Sequence, residues 1–145
     1  MSIWLIERAG VELTINLKSS AAETLLESVM SAMGAEQVRR KRGFRLVVGG
    51  DSGAWELNDR HAKIERKLKL DGDLIYHLTD RIVFHIADNA EGVHCIHAAA
   101  VAHGDGVLVV PARSGAGKST FTAWLVHMGF DYLTDELILI NSSVK

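Results

Sequence analysis

The stretch that decides the fold reads VLVVPARSGAGKST and covers Val107–Thr120. An apolar, β-branched run is followed by a loop of small residues and then by a Lys-Ser-Thr triplet that opens a helical pattern. This order predicts a strand, a phosphate-binding loop and a helix N-terminus. It matches the Walker A pattern G-x-x-x-x-G-K-[ST] except at Ala112, where the pattern has glycine. Alanine tolerates positive φ less readily, so the freedom of the loop depends on Gly115 and Gly117.

The loop has the chemistry of a phosphate site. Its backbone N–H groups are expected to point into one concavity, where hydrogen bonds and the helix dipole favour an anion. Lys118 adds a positive charge for the β- and γ-phosphates, and the Ser119 hydroxyl is a candidate ligand for Mg²⁺. The alternative is a glycine-rich turn that matches the motif by chance. The predicted cofactor-binding residues are Ser114, Gly115, Ala116, Gly117, Lys118, Ser119 and Thr120.

Two adjacent carboxylates, Asp135 and Glu136, interrupt an extended apolar run over residues 132–140. A nucleotide site needs a carboxylate for its metal, and a kinase also needs one to accept the proton of the attacking hydroxyl. Because successive strand residues face opposite sides, the two acids can serve these two different roles only if the strand ends or bends there. The alternative is a pair of exposed acids in a turn.

Three histidines, His94, His97 and His103, precede the strand that leads into the loop. In an unbroken strand His97 and His103 would lie about 20 Å apart, which is too far to share a metal ion. We therefore expect no zinc site there, but one histidine close to the γ-phosphate.

Hydrophobic periodicity predicts the remaining elements. Up to about residue 90 these are a hairpin, a helix, two short strands and a second helix. The first helix begins with a Ser20–Glu23 capping box, and the second carries His77 and His85 as structural residues. Residues 61–70 fit no pattern. In the second region, strands 96–102 and 107–110 should pair antiparallel. The apolar side of the helix begun near Lys118 is formed by Phe121, Leu125, Val126 and Met128.

The composition argues against a nucleic-acid-binding or membrane-spanning protein. The 145 residues are 48% hydrophobic and 23% charged with a net charge of −2, so we expect neither nucleic acid nor an anionic membrane as a partner. No run approaches the roughly 18 apolar residues of a membrane span. The single cysteine, Cys95, is expected to be buried as a small hydrophobic residue. It cannot form an internal disulfide, which favours a reducing, cytoplasmic setting. The basic run Arg39–Arg42 is either a patch for an anionic partner or, as we favour, a solvated entry to a strand.

Residues 97–101, 104–109, the loop through Thr120, and residues 129–136 together resemble HPr kinase/phosphorylase and its relatives. The resemblance implies a P-loop kinase fold akin to phosphoenolpyruvate carboxykinase, ATP and Mg²⁺ as cofactors, and phosphorylation of a serine on a protein or peptide. It implies an α/β protein in which an N-terminal hairpin-and-helix region, residues 1–90, leads into a kinase core at residues 91–145.

The resemblance also implies roles for single residues. His97 takes the place of the family's active-site histidine, and Asp135 that of its general base. Glu136 stands where the family often has a second aspartate that holds Mg²⁺, so Ser119, Asp135 and Glu136 are the predicted metal ligands. With Lys118, the predicted catalytic residues are Asp135 and His97. Glu136 in place of aspartate puts a dephosphorylating activity in doubt.

Family members continue beyond the acidic strand, whereas this sequence stops at Lys145. We therefore expect a fragment or a short relative with an open sheet edge that favours a homo-oligomer. Two alternatives to a serine kinase remain. One is a nucleotide-binding or ATP-hydrolysing module without phosphotransfer, and the other is a binding protein that docks a partner through Arg39–Arg42.

Overall fold

The computed structural model describes residues 1–113 and 115–141, and these form a mixed α/β protein with more sheet than helix. The chain divides into two compact units, Met1–Glu91 and Gly92–Lys145. The elements of the first unit are β1 (Ser2–Arg8), β2 (Val11–Leu17), α1 (Ser20–Ala32), β3 (Glu36–Gln37), β4 (Phe44–Asp51), β5 (Ala54–Asp59), β6 (Ile64–Leu68) and α2 (Asp71–Asn89).

The first unit is a six-stranded sheet with the order β3-β1-β2-β4-β5-β6. All neighbours are antiparallel except β2 and β4, which run parallel. The predicted hairpin is confirmed as β1 and β2, and α2 packs on the sheet through contacts with β2, β5 and β6. The sheet has six strands, whereas the prediction for this region has a hairpin and two further short strands.

One face of this sheet carries the core. Alternate residues of β2, namely Leu13, Ile15 and Leu17, have no exposed surface. Ile15 pairs with Leu46, and Leu46 pairs with Asp59, which bonds to α2, so this face is the one that α2 covers. The opposite face carries the intervening residues, which include several polar and basic side chains.

Two predictions for the first unit need correction. The N-cap of α1 is Ser19 rather than Ser20, because the Ser19 side chain accepts the N–H of Ala22, and Glu23 instead binds the N-terminal amine at 2.8 Å. Residues 61–70, which fit no pattern, contain β6. Three of its five residues are charged and exposed, so the strand lacks the alternation that would reveal it.

The second unit contains β7 (Val93–Ile96), β8 (Ala98–His103), β9 (Gly106–Pro111), α3 (Lys118–His127), β10 (Asp131–Thr134) and β11 (Ile138–Asn141). Its described strands form a three-stranded sheet in the order β10-β8-β9 and a pair of β11 with β7. The predicted antiparallel pairing of the two strands before the loop is confirmed as β8 with β9.

Three expectations for the second unit differ from the structure. The predicted strand 96–102 is interrupted at His97, which separates β7 from β8, so His97 and His103 do not belong to one unbroken strand. Of the four residues predicted to form the apolar side of α3, only Leu125 is buried, whereas Phe121, Val126 and Met128 are exposed. Cys95 is half-buried and not fully buried as expected. Within the described residues, no helix has both the length and the apolar character needed to cross a membrane.

Candidate phosphate-binding site

The predicted strand, loop and helix are present as β9, residues 112–117 and α3. β9 pairs with β8, and α3 packs against β8 and β10, so the loop joins two anchored elements. Gly117 is the N-cap of α3, and among the described residues no side-chain hydrogen bond caps this helix end. The first N–H groups of a helix have no intrahelical acceptor, so those of α3 are available to an anion. Ser114 lies outside the described residues.

Both loop glycines have the conformation that the sequence predicts. Gly115 has a φ of 78° and Gly117 one of 87°, which L side chains rarely adopt. A Cβ built on either residue meets no atom within 4 Å. Open space therefore lies beside the loop at both positions, and a bound phosphate could approach the backbone there.

Lys118 turns back over the loop. Its Nζ donates to the carbonyl oxygens of Ala112 at 3.0 Å and Arg113 at 3.4 Å, and the residue is only 8% exposed. A buried ammonium group needs hydrogen-bond partners, and the two carbonyls provide them. Thr122 also donates its hydroxyl to the Lys118 carbonyl oxygen, which fixes the first turn of α3. The charge of Lys118 is thus held at the loop.

The two residues after Lys118 are free to interact with a ligand. Ser119 and Thr120 are exposed, and neither hydroxyl makes a hydrogen bond to any residue in the ranges 1–113 and 115–141. The Ser119 hydroxyl is therefore available as the predicted metal ligand.

His97 and Glu136 are brought together, although they are 39 positions apart. His97 Nδ1 lies 2.7 Å from the carbonyl oxygen of Glu136 and 3.7 Å from its Oε2. Because a carbonyl oxygen only accepts, Nδ1 carries the hydrogen, and Nε2 is the unprotonated nitrogen of the neutral ring. The break in the strand at His97 and the bend at Asp135–Glu136 make this contact possible.

Asp135 has a different partner. Its Oδ1 accepts a hydrogen bond from the Tyr132 hydroxyl at 2.9 Å. Burial raises the pKa of Tyr132, and the hydrogen bond to Asp135 raises it further, so the phenol remains a donor at neutral pH. The extended run does bend at the acidic pair, as the two-role hypothesis requires, since β10 ends at Thr134 and β11 begins at Ile138. Tyr132 was not predicted as a residue of the site. The sequence feature that indicates its contact with Asp135 is the three-residue spacing between them.

The described residues contain no cluster of three or more histidine, cysteine, aspartate or glutamate side chains that could hold a metal ion by itself. Comparisons of the chain with protein-family models, curated proteins and solved structures return no match.

Proposed function

We propose that the chain is an ATP-dependent kinase that transfers the γ-phosphoryl group to a serine hydroxyl of a protein or peptide. The observation that carries the proposal is the loop between β9 and α3, where Lys118 is held on the carbonyl oxygens of Ala112 and Arg113 beside an uncapped helix end. The family resemblance of residues 97–136 adds the kinase reaction to this phosphate site.

The residues fit ATP and Mg²⁺. The open space at Gly115 and Gly117 admits phosphate oxygens, and the free Ser119 hydroxyl offers the metal an oxygen. Glu136 and Asp135 are the carboxylates proposed to complete the metal site. When bound, Mg²⁺ would neutralise charge on the β- and γ-phosphates.

In the proposed reaction the serine Oγ forms a bond to the γ-phosphorus while the bond to the β,γ-bridging oxygen breaks, and ADP leaves. Asp135 accepts the serine proton, and Lys118 stabilises the charge on the leaving phosphates. His97 has its Nδ1 engaged by Glu136, so its Nε2 is the nitrogen that assists at the phosphates. Tyr132 holds the Asp135 carboxylate in place.

The test is transfer of labelled γ-phosphate to a library of serine-bearing peptides by wild type, Asp135→Asn and the control Asp131→Asn, which removes an exposed acid of β10. We expect transfer by wild type and the control, and a loss of roughly a hundredfold or more in Asp135→Asn. Equal transfer by all three excludes Asp135 as the base. Release of inorganic phosphate without any labelled peptide favours an ATP-hydrolysing module instead.

We also propose a cytoplasmic homo-oligomer. Val107 and Leu108 are exposed on β9, which is an edge of the described three-stranded sheet. Exposed apolar edge strands favour pairing with another chain. Sedimentation analysis of the purified protein tests this, and a concentration-independent monomer would contradict it.

A further inference from the structure

The face of the first sheet opposite the α2 side carries a cluster of basic residues. Lys18, Lys41, Arg45 and Arg60 line one cavity of about 360 Å³, whose lining contains no carboxylate. None of the four makes an ion pair with any residue in the part of the chain that the structure describes. The cluster therefore has a strong positive charge with no counterion from the protein.

Two of these basic residues are neighbours through their backbones. The Arg60 N–H donates to the Arg45 carbonyl oxygen at 3.0 Å, next to the registered pair Leu46 and Asp59. Like charges placed opposite each other on neighbouring strands are destabilising. An anion bound between the two guanidinium groups would remove this repulsion.

The cavity lining includes a polar side chain that is open to a ligand. Asn16 lines the cavity and is only 6% exposed. Its side-chain amide makes no hydrogen bond to any residue within 1–113 and 115–141. The amide atoms of Asn16 are not among the fully buried unpaired atoms of the described residues, so they keep accessible surface and can donate to a ligand that enters the cavity.

One wall of the cavity is fixed to the sheet. The Thr14 hydroxyl accepts the N–H of Arg42 at 2.8 Å and donates to the Arg42 carbonyl oxygen, which holds the neighbouring Lys41 over β2. Gly43 has a φ of 58°, and a Cβ there would come within 1.8 Å of the Glu12 carbonyl oxygen. The connection thus lies close against the strand, which fixes the backbone next to the exposed Lys41.

The geometry points to a binding site in this cavity for a small molecule that carries a phosphoanhydride or more than one phosphate group. The volume is that of a small-molecule pocket. Arginine forks match phosphate oxygens, and a phosphoanhydride concentrates several negative charges in a small space, as four unpaired cations require. The Asn16 amide would donate to a phosphate oxygen. This site is lined by residues of the first unit alone, and the inference does not depend on the kinase proposal.

The test uses inorganic pyrophosphate and the full chain with Lys118→Ala, which removes the lysine of the loop site. Isothermal titration should give binding that Arg45→Gln/Arg60→Gln weakens by about tenfold or more, since charge-assisted hydrogen bonds are lost. Asn16→Leu should weaken binding by a smaller factor. The matched control is Arg39→Gln/Arg40→Gln, which removes two charges of the basic run Arg39–Arg42 that do not line the cavity.

The control should change pyrophosphate binding by less than about threefold, because only distant Coulomb attraction is lost. Equal weakening by the two double variants would overturn the proposal, since binding would then reflect diffuse charge. Absence of pyrophosphate binding, or citrate or a poly-glutamate peptide binding more tightly than pyrophosphate, would overturn it as well. Urea denaturation of each variant without ligand shows that a loss of binding is not a loss of folding.

Discussion

His85 Nε2 lies 2.7 Å from Asp59 Oδ2 inside the first unit, where the two side chains are 0% and 1% exposed. Arg81 Nε donates to the same carboxylate oxygen at 2.9 Å, and the other oxygen accepts the N–H groups of His61 and Ala62. A single carboxylate of β5 therefore organises two polar residues of α2 and the turn that follows β5. Removing it would leave the buried Arg81 without a counterion.

We expect Asp59→Asn to lower the free energy of unfolding by about 3–5 kcal/mol, because breaking a buried pair leaves an uncompensated charge. Urea denaturation followed by circular dichroism measures the difference. The control Asp51→Asn removes an exposed carboxylate at the end of β4 and should change stability by less than about 0.5 kcal/mol. A loss for Asp59→Asn no greater than that of the control would contradict a structural role for this cluster.

The same carboxylate predicts a pH dependence. Burial by itself would raise the pKa of Asp59, but hydrogen bonds from Ala62, His85 and Arg81 outweigh it and lower the pKa. The contribution to stability is therefore fully present above the unfolded-state pKa of about 3.9, and it is lost as pH falls through the lower folded-state pKa. Stability should decrease on acidification below about pH 4, and less so in Asp59→Asn.

Carbon NMR of the Asp59 carboxyl group gives a direct measurement that does not depend on the variant. A titration midpoint of this carboxyl group at or above the usual pKa of aspartate would contradict the lowered pKa.

Local sequence patterns predicted the elements of the first unit better than its polar core. The alternation of Val11, Leu13, Ile15 and Leu17 identifies β2 and its buried face, because burial on one side imposes a two-residue period. His85 was predicted as a structural residue, and it is fully buried. Its partner Asp59 lies 26 positions earlier, and no local pattern indicates which distant residues will meet.

In the candidate site, too, the contiguous part was predictable from the sequence and the long-range contact was not. The loop between β9 and α3 was predictable because its chemistry is contiguous in sequence, and glycine is required where φ is positive. The contact of His97 with Glu136 joins residues on two separate strand breaks, and the sequence alone gives no distance between them. The resemblance named both residues, but the hydrogen bond to the Glu136 carbonyl oxygen was not predicted.

We expect Gly117→Ala to abolish stabilisation by Mg-ATP. The substitution strains the backbone at a φ of 87° by roughly 1–2 kcal/mol and places a methyl group in the open space beside the loop. Gly104→Ala is the matched control, since Gly104 also has positive φ and open space around its Cβ position but lies in the turn between β8 and β9.

Thermal unfolding with and without Mg-ATP distinguishes the two substitutions. Both variants should unfold at lower temperature than wild type, but only Gly104→Ala should retain a ligand-induced increase. At a hundredfold excess over Kd that increase corresponds to about 2.7 kcal/mol. If Mg-ATP stabilises Gly117→Ala as much as Gly104→Ala, the loop is not the nucleotide site.

The two ring nitrogens of His97 have different roles in the proposed reaction, and substitutions can distinguish them. In His97→Asn the amide group can still donate to the Glu136 carbonyl oxygen as Nδ1 does, whereas the group at the Nε2 position is lost. We expect His97→Asn to fold with wild-type stability and to bind Mg-ATP, but to transfer phosphate roughly a hundredfold more slowly. His97→Ala should lose the hydrogen bond as well and unfold about 1 kcal/mol more readily. Transfer at the wild-type rate by His97→Asn would mean that His97 only connects the two strand breaks, and that Nε2 has no part in the reaction.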